Sequence, residues 1–104
     1  MALKLVWFIL NNSTAITEQV EQLITFIQDM IDRWKLQDGD VPPMVGNAEL
    51  DEKYPLLAVA AVDCVGVEGV GDRLGLLKLL AEFIKNNPEI AELLLALLKS
   101  LIKI

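Results

Sequence analysis

From Pro88 to Lys103 the chain reads PEIAELLLALLKSLIK, and this run constrains the fold more than any other. Asn87-Pro88-Glu89 is a helix start: an N-cap residue, a proline at the first helical position, and an acid at the positive end of the helix dipole. On a helical wheel Ile90, Ala91, Leu93, Leu94, Leu95, Leu97, Leu98, Leu101 and Ile102 span about 200°. Only Glu89, Glu92, Lys99, Ser100 and Lys103 stay polar. A helix lying on a core needs a stripe of little more than about 100°. The excess must therefore meet a second layer of the same chain, a partner or a membrane surface. Each leucine left in water forgoes about 1.5–3 kcal/mol of burial.

Two further helices follow from periodicity. Over Ala15–Lys35 the residues Ile16, Val20, Leu23, Ile24, Ile27, Met30, Ile31 and Trp34 keep the 3- and 4-residue spacing of one face. Thr17, Glu18, Glu21, Gln28, Asp29 and Asp32 lie opposite. Asp72 is placed to cap a helix running to about Lys85, with Leu74, Leu76, Leu77, Leu79, Leu80, Phe83 and Ile84 inward. Residues 37–47 carry Asp-Gly, Pro-Pro and Gly-Asn and read as a loop.

The segments 3–10 and 48–71 are apolar without a deciding period. As strands near 3–10 and 56–65 they would leave roughly 18 irregular residues before the second strand, where about 2–6 are usual. They would also make a two-stranded sheet, which rarely stands alone. The expected fold is therefore mainly α, a small bundle of about five helices, with short ones near 3–10 and 50–64. The alternative is an α+β domain that completes its sheet through a second protomer.

At 104 residues the chain is expected to be one domain, 1–104. Its apolar fraction is 54%, above the about 45–50% of ordinary soluble domains, and its mean hydropathy is +0.46. The net charge of −6 is unevenly placed: residues 1–71 hold eleven acidic and four basic side chains, residues 72–104 four acidic and five basic. That layout argues against nucleic acid, whose phosphates need clustered lysine and arginine. A single cysteine cannot form an intrachain disulfide, which points to a cytoplasmic setting. The apolar run Leu5–Leu10 is too short for a signal peptide, which needs about 7–15 residues.

No motif carries chemistry well. Asp63-Cys64 is the one nucleophile beside a carboxylate, yet the chain has no histidine and Val62, Val65 and Gly66 flank the pair; a buried, inert cysteine is expected. Asp38-Gly39-Asp40 resembles the opening of a calcium loop, but Pro42 offers no ligand at the next position. Glu18, Glu21, Glu49, Asp51 and Glu52 sit in charge-rich sequence, which disfavours the shifted pKa values of acid–base catalysis. The glycines of 66–75 precede a helix without the lysine and hydroxyl of a phosphate loop. Trp7 and Trp34 fall within apolar patterns and are expected as core anchors, with one at an interface as the alternative.

The expectation is a non-catalytic module without cofactor or metal, which associates with itself or with a partner protein through its C-terminal helices. Leu94, Leu95, Leu98 and Ile102 are the expected interface. Glu18, Glu21, Asp29 and Asp32 form the acidic face, for solubility or for a basic partner. The alternative is an acidic inhibitor of the immunity or antitoxin type, binding through that face and residues 37–53. Contact with a membrane surface is disfavoured, because Glu89 and Glu92 oppose anionic lipid.

Overall fold

The computed structural model describes residues 3–11, 17–36, 43, 45–68 and 72–102. Among them the chain forms six helices and no strand: α1 (Lys4–Asn11), α2 (Thr17–Leu36), α3 (Asn47–Lys53), α4 (Pro55–Glu68), α5 (Arg73–Asn86) and α6 (Pro88–Ile102). The fold is the mainly α bundle, and the α+β alternative is overturned. Both ambiguous apolar segments are helical.

α1 turns Leu5, Val6 and Ile9 inward, an i, i+1, i+4 set that a strand would split between two faces. α4 packs against α1, α2, α3 and α5, and the strip it leaves outward, Pro55, Val59, Val62, Asp63 and Gly66, is itself mostly apolar. Leu57, Ala58, Ala60, Ala61 and Cys64 of α4 are buried. The small alanine side chains bring neighbouring helices close on several sides. The same alanines that weaken a strand make a helix at this central position.

The single helix expected near 50–64 is two. Pro55 has no N–H to give and disfavours α geometry in the residue before it. Tyr54 accordingly sits at φ −132°, ψ 54°, its N–H still bonded to the Leu50 carbonyl. The Gln22 side chain of α2 caps the restart: its Oε1 accepts from the Leu56 N–H at 2.8 Å and the Leu57 N–H at 3.0 Å. These are first-turn donors that have no partner within their own helix.

α5 begins at the expected cap, with Asp72 Oδ1 accepting from the Gly75 N–H at 2.6 Å. A Cβ at Gly75 would stand 3.1 Å from that oxygen, so this glycine serves the cap, not a phosphate. Asn87 departs from expectation. Its carbonyl accepts the first bond of α6, from Ala91, but its side chain reaches back to donate to the Phe83 carbonyl at 3.2 Å. The residue therefore closes α5 with its side chain and opens α6 with its backbone.

α2 lies along α6, its most extensive neighbour, and also touches α1, α4 and α5. With that many neighbours its buried arc widens to include Phe26, whose ring meets Tyr54 edge-on at 5.6 Å. All six helices contribute to one apolar cluster. Trp7 is not a core anchor; it points to solvent, because Leu5, Val6 and Ile9 already fill the inward face of α1. Trp34 is half-buried, and its indole N–H donates to the Ala81 carbonyl at 3.0 Å. Leu79 also faces out, since Leu76, Leu77, Leu80 and Ile84 occupy the contact side of α5.

Candidate functional site

α6 divides its wide apolar arc in two. Ala91, Leu95 and Leu98 are buried in the chain's own core, against α2 and α5, and Leu94 and Ile102 are half-buried at its edge. Of the four residues expected at an interface, Leu95 and Leu98 thus pack inside the molecule. The outward residues are Ile90, Leu93, Leu97 and Leu101, exposed by 49%, 70%, 56% and 43%. Their spacing of 3, 4 and 4 keeps them within about 80° of one another on the helix. They form one continuous aliphatic row. Its neighbours on one flank are Glu89 and Ser100, both exposed.

The acidic residues of α2 also separate. Glu18, Glu21 and Asp32 are exposed, and Asp32 accepts a bond from Gln28 at 3.1 Å. Asp29 lies to one side and is taken up within the chain. The Arg33 fork reaches it twice, Nε to Oδ1 at 3.2 Å and Nη2 to Oδ2 at 3.1 Å. The Tyr54 hydroxyl donates to Oδ2 at 2.6 Å. Arg33 also bonds Glu49 of α3, and the Lys53 ammonium stands 3.8 Å from both carboxylates. This cluster clasps α3 and the α3–α4 joint onto α2.

Asp29, Arg33 and Tyr54 are each held in their ordinary charge state. Burial opposes ionisation of Asp29, but hydrogen bonds from Tyr54 and Arg33, with the charges of Arg33 and Lys53, hold its carboxyl below the usual 3.8. Burial, then the bond to Asp29, pushes the Tyr54 phenol well above its ordinary value. Burial works against the Arg33 charge, and its bonds to Glu49 and Asp29 more than restore it. A general acid or base needs a pKa near the working pH. These shifts move away from neutrality.

No known protein family, curated protein or solved structure matches this chain.

The remaining candidates are placed as follows. Cys64 is buried in α4 and Asp63 beside it is exposed, so the two side chains diverge. Glu49 joins the clasp, whereas Asp51 pairs with Arg73 at 3.0 Å and Glu52 is exposed. Asp38-Gly39-Asp40 lies outside the described residues. Among the described residues no three His, Cys, Asp or Glu side chains converge to hold a metal ion, and no helix is long and apolar enough to cross a membrane.

A cleft of about 360 Å³ opens between the end of α2 and the α5–α6 joint, lined by Ile31, Trp34, Lys35, Ile84, Lys85, Pro88 and Glu92. The Lys85 ammonium stands 5.0 Å from the Trp34 ring centroid, a cation–π distance. Sequence reasoning missed the clasp and the Gln22 cap, whose partners lie 16 to 35 positions apart. The one available signal was Arg33, the sole arginine on a helix otherwise rich in acids.

Proposed function

We propose that this protein is a non-catalytic interaction module, cytoplasmic and of a single domain, which docks on a protein through the outward row of α6. One observation carries the reading: Ile90, Leu93, Leu97 and Leu101 stand 43–70% exposed in a single line. Singly exposed aliphatic residues are ordinary on a monomer, but a contiguous apolar strip marks a surface to be covered. The row replaces Leu95 and Leu98 of the expected interface and keeps Leu94 and Ile102 as its margin. The clasp supports the non-catalytic part of the reading, because its perturbed groups are shifted out of the range useful for proton transfer.

A photo-crosslinking side chain at position 93, in the cells that make the protein, tests this. The expected product is a discrete covalent adduct with a protein identified by mass spectrometry, with no adduct from the same group at position 21. Adducts at 21 or 32 but not at 93 would move the function to the acidic line, in keeping with the inhibitor alternative. That alternative retains Glu18, Glu21 and Asp32 but loses Asp29, already neutralised by Arg33. Its binding would weaken steeply with salt, whereas burial of an aliphatic row would not.

A further inference from the structure

The spacing of the α6 row identifies its partner more closely. Leu93 and Leu97 are its inner pair, Ile90 and Leu101 its outer pair, and both are centred near position 95. Read in the opposite direction, the row has nearly the same pattern. Resting on the proposed reading of α6 as an interaction face, we infer that the row docks on the same row of a second copy. The two helices run antiparallel across a two-fold axis between Leu93 and Leu97. Leu93 of each copy then meets Leu97 of the other, and Ile90 meets Leu101. A two-fold interface uses one patch twice, so it demands this kind of self-matching.

Charge favours the same arrangement. Two copies of a chain carrying −6 repel one another, and the repulsion is least where the charge is least. Residues 72–104 hold four acidic and five basic side chains, against eleven and four in residues 1–71. The row is uncharged, and the charged residue bordering it is Glu89. A parallel pair would set the two Glu89 carboxylates at one height, whereas the antiparallel pair sends them to opposite ends. A lipid surface fits less well, because an interfacial helix is rich in lysine and arginine on its polar face, while the described charged residues of α6 are Glu89 and Glu92 against Lys99.

The helix is about 22 Å long, so the row alone covers less than the roughly 800 Å² per partner of a standard stable interface. The dimer is therefore weak, with dissociation in the micromolar range or above.

Light scattering on the full chain from about 10 μM to about 1 mM spans that range. The expected result is a monomer–dimer equilibrium, abolished in Leu93→Glu/Leu97→Glu with an unchanged circular dichroism spectrum and melting temperature. Orientation is read by oxidative crosslinking. A mixture of Leu93→Cys and Leu97→Cys chains should link far more efficiently than either alone, with the parent chain, whose Cys64 is buried, as the control. Efficient linking of Ile90→Cys with itself would show parallel helices and overturn the arrangement. A chain that stays monomeric at the highest concentration overturns the second copy as partner. If position 93 then photo-crosslinks to a different protein, the interaction reading stands without this inference. If it crosslinks to nothing, both fall.

Discussion

The clasp of α2 with α3 and the outward row of α6 lie on one small molecule and are finished to different degrees. Around Asp29 every charge meets an opposite charge within the chain, and Tyr54 adds a hydrogen bond to the same carboxylate. On α6 four aliphatic side chains are left about half open to water. A charged cluster can be satisfied by a few well-aimed atoms, whereas an apolar strip needs a matching surface. The first is therefore closed by the fold, while the second remains available to a partner.

The sharpest way to break the comparison uses neighbouring residues of α6. Leu98→Ala empties a fully buried site and should cost about 2–5 kcal/mol in urea unfolding. If it cost no more than Leu97→Ala, the division of α6 into inner and outer faces would be wrong.

Next in size, Asp29→Asn removes the charge that Arg33, Lys53 and Tyr54 share, and should cost about 1.5–3 kcal/mol at neutral pH. The effect depends on pH. Because the folded carboxyl titrates below the unfolded 3.8, the folded state binds fewer protons between the two values. The stabilisation is complete above the unfolded pKa and lost as pH falls through the lowered one. Unfolding curves from pH 6 downward should lose stability more steeply for the parent chain than for Asp29→Asn; parallel curves would show that Asp29 contributes no pH dependence.

Gln22→Ala strips the cap from α4 and should cost about 1 kcal/mol, measurable as a lower denaturation midpoint at unchanged slope. The smallest expected effect is Leu97→Ala itself, within about 0.5 kcal/mol. A large loss there would mean that the row already packs on something within the chain.

How much was legible follows the same physics. α2, α5 and α6 were readable because each pairs a packed side with a solvated one, which writes a 3.6-residue period into the sequence. α4 was not, because the side it turns to solvent carries Val59 and Val62 beside Asp63, and an outward strip that is itself mostly apolar does not mark the period. The break at Tyr54-Pro55 was legible, since Pro55 would be the sixth residue of a helix over 50–64, an interior position where proline interrupts the hydrogen-bond ladder. For the site, the width of the α6 arc was legible and its phase was not. Which half of the arc turns inward depends on where α2 and α5 lie, a long-range fact that placed Leu95 and Leu98 inside. Asp29 stood with Glu18, Glu21 and Asp32 on the polar side of its helix, and only Glu49 and Tyr54, brought from elsewhere in the chain, set it apart.

The Gln22 cap ties the start of α4 to a side chain 34 residues earlier. The amide protons of Leu56 and Leu57 have no acceptor within their own helix turn, so their protection from solvent exchange depends on α2 remaining seated. Should α2 lift away while α4 stays helical, these two protons would exchange ahead of those further along, such as Ala60 and Ala61. In a hydrogen-exchange experiment they form a built-in gauge of how often the two central helices part.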